Sequence, residues 1–487
     1  MNLLLLLACV RSSGETTQPL PVDRADDATD VDGDGYEASV DCDDHATAVH
    51  PGATEVCANA ADDDCDGRTD AEAEGCAWEG DWDVGSADVT MEMADGGAGS
   101  SLKEWAVLGS ILAVPDGLHD LELYDLSARA ANLVGRTDTP SGLSGVSLIR
   151  MLNAEGDAGR ALTIATESDR SAVVGLGDLT DGNAFAPTAQ LGFELGDSTC
   201  MYVGLDATAL WTAGDPQATR VAIPCTNSGW PSPEAPPSYV YVFSTDRIGD
   251  FTLADADLTI AGSYWQLGSE VTASDLDADG VDDLIVGEQD WVADINDYDQ
   301  YSANVGAVFV FDGDRAGSIT DADYDGAILG VRKGYIGQSA AAVGDVDDDG
   351  YPDLAVGDGH GAYLFRGPIL ETQTVDDAWA SWLPAVDDLG TMPGYTLAPP
   401  GDVDGDGRPD LLVGAPWTAT GDGTWLLYDL DAGEHTLEVS ESVGFFSDSG
   451  FCFAPGTDLD HDGRSDFILG RTGPSGDQVS VFYGRER

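Results

Sequence analysis

The stretch 401–416, GDVDGDGRPDLLVGAP, sets Asp402, Asp404, Asp406 and Asp410 within nine residues and runs directly into an apolar strand. Four like charges so close repel one another and gain nothing from burial, so the spacing makes sense around a cation. Three further segments repeat it: SDLDADGVDDLIVGE, GDVDDDGYPDLAVGD and TDLDHDGRSDFILGR, whose first aspartates are Asp275, Asp345 and Asp458. Measured between first aspartates, the period is 56 to 70 residues. In D-x-D-x-D-G-x-x-D, residues 1, 3, 5 and 9 can wrap carboxylates round a hard cation, residue 7 can offer a carbonyl, and glycine permits the tight turn. An all-oxygen donor set selects calcium over zinc or copper. The competing reading, a solvated Asp/Gly turn, leaves the repeated fourth aspartate unexplained.

A small-residue strand precedes each loop, as in GQSAAAV and GYTLAPP, and a third strand follows the second, as in GAVFVF, GAYLF, TWLLY and QVSVFY. The connecting stretch supplies a fourth, such as DLTIAG or HTLEV. Four short strands joined by turns make one propeller blade. Weaker copies of the second strand, RVAIP at 220–224, ALTIA at 161–165 and SILAVP at 110–115, extend the series to seven units between residues 82 and 487. The segment DVTMEM at 88–93 is expected to complete the last blade, since closure removes the exposed edges of an open sheet. The expected fold is an all-β seven-bladed propeller, with eight or six blades as the alternatives. DADYDG at 321–326 begins the aspartate motif but has Leu329 where the last ligand belongs, and reads as a turn in an inter-blade connection.

At 487 residues with 42% hydrophobic content the chain can bury a sizeable core. Its 90 acids against 20 bases give a formal net charge of -70, with Lys103 and Lys333 the only lysines. Such a balance disfavours nucleic acid and anionic headgroups and favours cations, although adaptation of a solvated surface to salty water would also produce it.

The N-terminus, MNLLLLLACV, is too short in its apolar run to span a bilayer. Residues 1–9 read as an export signal ending at Cys9, with lipidation of Cys9 and outer-membrane anchoring, or plain secretion, as the two outcomes. No basic residue precedes the run. Residues 10–29 are polar and aperiodic and read as a tether. Cys42, Cys57, Cys65 and Cys76 crowd one segment, which suits a disulfide-stapled module in an oxidising compartment; their pairing stays open. Cys200 and Cys225 are a further candidate pair, which leaves Cys452 as a small hydrophobe.

The small-residue strand, aspartate loop and DLLVGAP strand together resemble the FG-GAP repeats of integrin α-subunits and of related bacterial secreted proteins. The resemblance covers residues 82–487 and is strong in four units. It implies a seven-bladed propeller with calcium in hairpin loops and a role in adhesion or ligand binding. Carried over residue by residue, the ligands are Asp275, Asp277, Asp279 and Asp283; Asp345, Asp347, Asp349 and Asp353; Asp402, Asp404, Asp406 and Asp410; and Asp458, Asp460, Asp462 and Asp466. Val281, Tyr351, Arg408 and Arg464 would give the carbonyls. Residues 30–77 are similar to the metal-binding repeat of MopE-type and myxobacterial surface proteins. There Asp30, Asp32, Asp34 and Asp41 follow EF-hand spacing, with Asp in place of Glu at the twelfth position, and Asp62, Asp64, Asp66 and Asp70 repeat the nine-residue pattern.

Strand alternation puts the aspartate loops on one face and the long irregular loops on the other. There Trp230, Trp291, Tyr298, Tyr301 and Trp417 are candidate contacts for a protein or glycan ligand, or fold back as loop anchors. The six histidines are scattered, and GxSxG, HExxH and GxxxxGK are all absent, so catalysis is not expected. His461 sits at the outward-pointing fourth position of its loop. The reading is an exported, monomeric calcium-binding propeller that recognises a ligand. A polysaccharide-degrading propeller enzyme is the first alternative, and a metal scavenger, for copper through His45 and His50, the second.

Overall fold

The computed structural model describes residues 30, 32–33, 35–36, 40–43, 45–51, 53 and 65 of the N-terminal segment. Beyond it, 80–83, 87–92, 106–108, 110–115, 120–138, 146–151, 160–168, 171–179, 185–194, 202–203, 207–215, 218–226, 237–263 and 266–292 are described. So are 305–332, 334–384, 392–415, 423–437, 443–447, 452–471 and 478–485. The signal, the tether, Cys9, Asp34, Asp62, Asp64, Asp66, Asp70, Trp230, Tyr298, Tyr301 and Trp417 lie outside the described residues.

The chain divides into two compact units, Met1–Ala73 and Glu74–Arg487. In the first, the described residues form turns, and Cys42 is disulfide-bonded to Cys65.

The second unit is all-β: among its described residues there is no α-helix, and the strands form seven sheets. The four matched repeats give four of them. The fourth sheet runs Leu267–Ser274, Asp283–Glu288, Ala307–Phe311, Gly326–Leu329, and the fifth Ser339–Gly344, Asp353–Asp358, Gly361–Phe365, Ala380–Leu383. The sixth runs Thr396–Gly401, Asp410–Ala415, Gly423–Leu427, Val443–Ser447. In the seventh, Cys452–Thr457, Asp466–Arg471 and Gln478–Phe482 are completed by Val89–Glu92 from the beginning of the unit, antiparallel, with Val89 opposite Val481. The weaker copies supply the second strands of the other three: Ile111–Pro115 in the first sheet, Arg160–Ser168 in the second and Arg220–Thr226 in the third.

The first strands of the sheets follow one another in space. Cys452–Thr457 lies beside Thr396–Gly401, which lies beside Ser339–Gly344, then Leu267–Ser274, Thr208–Leu210, Val146–Met151 and Ala106–Leu108. Ala106–Leu108 lies again beside Cys452–Thr457.

The second strands of the four matched repeats are apolar without alternation because both of their faces are covered. Leu284 and Val286 pack towards the third sheet with Val240 and Ile260, while Ile285 packs towards the fifth with Leu354 and Val356. Phe446, Phe467 and Phe482 fill the space between the sixth and seventh sheets with centroids 4.9 to 5.3 Å apart. Met91, Leu112 and Val481 join the seventh sheet to the first.

Two expected features sit differently. HTLEV does not form the fourth strand of the sixth sheet, which is Val443–Ser447; Gly433–Thr436 instead pairs in parallel with Ala380–Leu383 of the fifth. The same device recurs: Gly317–Thr320 pairs with Leu258–Ala261, and Thr372–Thr374 with Gly326–Leu329. In each case the connection between third and fourth strands swings out and adds a strand to the preceding sheet, which covers an otherwise open edge. DADYDG belongs to this connection and is not a simple inter-blade turn. Asp321–Asp323 is a 3-10 turn leading into the fourth strand, and Leu253–Asp255 and Val375–Asp377 are its counterparts. Thr252, Thr320 and Thr374 donate backbone N–H and hydroxyl to Asp255, Asp323 and Asp377 at 2.8 to 2.9 Å. The first acid, Asp321, accepts the N–H and hydroxyl of Ser263 at 2.6 and 2.8 Å. These carboxylates are used by backbone and hydroxyl donors, so they have a structural role without a cation.

Candidate metal centres

All four matched aspartate loops connect the first and second strands of their sheets, with the ninth-position aspartate as first residue of the second strand. Their backbone wrap is shared. The first aspartate accepts the N–H of the sixth-position glycine: Gly280 on Asp275 at 2.9 Å, Gly350 on Asp345 at 2.8 Å, Gly407 on Asp402 at 2.8 Å and Gly463 on Asp458 at 3.0 Å. Those glycines lie at φ 89 to 96°, which explains the residue type. Position four is also left-handed, at Ala278, Asp348, Gly405 and His461, and His461 is exposed there as expected.

The ninth aspartate folds back on the loop. Asp283, Asp353, Asp410 and Asp466 accept the N–H of Leu276, Val346, Val403 and Leu459 at 2.7 to 3.1 Å. Fifth-position Asp279, Asp349, Asp406 and Asp462 accept the N–H of Val281, Tyr351, Arg408 and Arg464, the expected carbonyl residues, at 2.8 to 3.0 Å.

Within each loop, carboxylate oxygens converge. Asp345, Asp347 and Asp353 each place one within 4.8 Å of the others, as do Asp402, Asp404 and Asp410, and Asp458, Asp460 and Asp466. In the first loop the converging trio is Asp275, Asp277 and Asp279. Burial makes this costly. The ninth carboxylates are pushed up, by burial first and by neighbouring aspartates second: Asp283 and Asp466 to about 7, Asp353 to about 6 and Asp410 to about 9.

Arginine relieves part of that charge. Arg129, from the connection after Asp120–Asp125 in the first sheet, reaches Asp460 at 2.6 Å and Asp462 at 3.3 Å in the seventh-sheet loop. Arg366 reaches Asp347 at 3.2 Å. The other carboxylate oxygen of Asp347, Oδ1, is buried and has no hydrogen-bond donor among the described residues. An oxygen-only donor set with a buried, donorless carboxylate oxygen fits a hard cation, and these clusters point to a metal ion.

In the N-terminal unit, Asp30 accepts the N–H of Gly33 at 2.6 Å and of Gly35 at 3.1 Å, the same wrap that Asp402 gives Gly405 and Gly407. Asp41 is placed beside Cys42 and Cys65. Both sulfurs are consumed in their disulfide, so that grouping offers no thiolate. The Asp32 side chain is half-buried in this loop.

Of the five aromatic rim candidates, Trp291 is the one within the described residues, and it is not free. It packs edge-on against Phe309 at 6.5 Å, over the core shared by the third and fourth sheets, and its backbone N–H donates to the Glu288 carbonyl at 3.0 Å. Sequence reading did not single out Arg129, Arg366 or the three Thr-x-x-Asp turns. The arginine partners are far away in sequence, whereas the Thr-x-x-Asp spacing is visible at 252–255, 320–323 and 374–377.

Residues 345–413 match the FG-GAP-like repeat family model, a span that begins on Asp345 and ends within the second strand of the sixth sheet. Residues 41–71 match the copper-binding MopE family model, described as a metal-binding motif. A search of curated proteins gives no match to the chain. The stretch from the 345 loop through the 402 loop is therefore an FG-GAP-like repeat, in a chain that also carries a MopE-type metal-binding motif.

Proposed function

We propose that this chain is an exported, surface-presented propeller protein of seven blades that holds calcium in the 275, 345, 402 and 458 loops and acts by binding a protein or glycan ligand, without catalysis. The recurrence of four converging carboxylate clusters at one place in the repeat supports this reading. Asp275, Asp277, Asp279 and Asp283, and their counterparts in the other three loops, would hold the ion. When bound, calcium neutralises clustered carboxylates and fixes the hairpin. The chain's own residues supply the rest: the glycines of position six admit the turn, and the ninth aspartate ties the loop to the second strand.

Export is supported by cysteine use. Cys42–Cys65 is a disulfide and Cys225, buried in the third sheet, is also disulfide-bonded, which suits an oxidising compartment. An anchor at Cys9 and a monomeric state belong to the same reading. The cyclic order of the first strands supports seven blades. Ligand recognition would fall to the strand ends opposite the aspartate loops, where the long connections emerge.

Screening calcium-loaded and chelator-stripped protein against a glycan and polysaccharide panel tests the reading. Calcium-dependent retention of a ligand without turnover is expected; release of shortened products from any polysaccharide would replace binding by catalysis.

A further inference from the structure

Asp358 ends the second strand of the fifth sheet, at the opposite end from the aspartate loop, and its side chain is 1% exposed. Oδ1 accepts the N–H of His360 at 2.7 Å and of Gly361 at 2.9 Å, which caps the two-residue turn to the third strand. Oδ2 has another task. It accepts the Tyr363 hydroxyl at 3.4 Å and lies 3.9 Å from Nε of Arg332, whose guanidinium also donates to the Tyr363 oxygen. Arg332 is 47% exposed, so the negative end of this group is buried and the positive end faces water.

The repeat does not demand such a group. The fourth sheet also ends its second strand on a buried carboxylate, Glu288, but the corresponding residue is Ala415 in the sixth and Arg471 in the seventh. The fold nevertheless makes room for it. A Cβ on Gly334 would stand 2.6 Å from Asp358 Oδ2 and 3.1 Å from the His360 ring, so glycine is needed there, and the next residue, Tyr335, sits at φ 62°. Arg332 and Lys333 are also the one adjacent pair of basic residues in a chain of net charge -70.

We propose that Arg332 and His360 form a binding site for a carboxylate-bearing ligand, with Asp358 and Tyr363 as the buried residues that hold the Arg332 fork in position. A guanidinium fixed by two buried partners retains donors that match a carboxylate in bidentate fashion. The exposed Val331 beside it offers apolar contact. A singly charged carboxylate is favoured over phosphate because the strongly acidic chain repels higher charge more. The site needs no metal, so it goes beyond the calcium reading and fails independently of it.

The test is calorimetric titration of the calcium-loaded full chain with glucuronate and, separately, inorganic phosphate. Saturable glucuronate binding is expected, weaker by about tenfold or more in Arg332→Met, as loss of a charge-assisted hydrogen-bond pair implies. Tyr363→Phe, which frees the fork without removing it, should weaken binding by a smaller factor. Both variants should keep the parent calcium content, while the loss of a partner to buried Asp358 lowers the melting temperature of each. Absence of saturable glucuronate binding, equal binding by Arg332→Met, or phosphate binding as tight as glucuronate would each overturn the assignment.

Discussion

Arg129 donates to Asp460 at 2.6 Å and so joins the first sheet to the aspartate loop of the seventh, the sheet that Val89–Glu92 completes. The guanidinium also lies 5.0 Å over the Tyr483 ring, whose hydroxyl donates to the Leu126 carbonyl at 2.8 Å. Arg485 donates to Asp88 at 2.9 Å. Because Arg129 and a bound cation would neutralise the same carboxylates, each should matter less in the presence of the other. Arg129→Ala is expected to cost about 1 kcal/mol in chelator-stripped protein and less with calcium, measured by urea denaturation. An equal or larger loss with calcium would show that the arginine serves closure alone.

The four ninth-position carboxylates give a pH dependence with a definite sign. Their folded-state values, from about 6 to about 9, lie above the ordinary carboxylate value, so the folded metal-free chain holds protons that the unfolded chain has released. Their contribution is fully present below about pH 4 and is lost as pH rises through the folded values, complete once Asp410 is passed near 9. Calcium needs the ionised form, so its stabilisation should be small at pH 5 and large at pH 8. Melting curves at the two pH values, with calcium and with chelator, check this. Equal stabilisation at both would contradict it.

Asp410→Asn separates the structural from the ionic role of the group pushed furthest up among the four. The amide oxygen can still accept the Val403 N–H that Asp410 accepts at 2.7 Å, but the amide is neutral without the proton that buried Asp410 must take up. At pH 8 the stripped variant should be more stable than the stripped parent, while the calcium-loaded variant should be less stable and hold one ion fewer. A variant less stable than the parent in both states would place the hydrogen bond above the charge.

Thr320→Ala removes a hydroxyl that donates to Asp323 at 2.9 Å and should cost about 1 kcal/mol without altering calcium content. Denaturant midpoints and metal analysis on the same sample test both halves.

Much of this architecture was legible in the sequence because it repeats. DLLVG-type second strands are apolar throughout since the sheets of the four matched repeats are packed on both faces, so the four copies align with one another and RVAIP, ALTIA and SILAVP follow. The pairing of Val89–Glu92 with the final strand was also readable, from a seventh unit that ends one strand short. HTLEV misled because its apolar residues suit any strand, and the choice between the fourth position and a parallel strand on the neighbouring sheet rests on tertiary pairing. For Trp291 the sequence left ligand contact and loop anchor open, because an aromatic in a polar loop reads the same whether it faces solvent or folds onto Phe309, as it does. The Arg129 contact joins residues 331 apart in sequence and leaves no local signal.

The central claim, that the repeated aspartate loops are calcium cages, is tested most directly by counting ions. Chelator-stripped protein should be dialysed against micromolar calcium with excess magnesium, and bound metal determined alongside the melting temperature. At least four calcium ions per chain are expected, one for each of the four converging aspartate clusters, with a melting temperature that falls markedly when they are removed. Retention of no calcium, or full removal without any change in melting temperature, would contradict it.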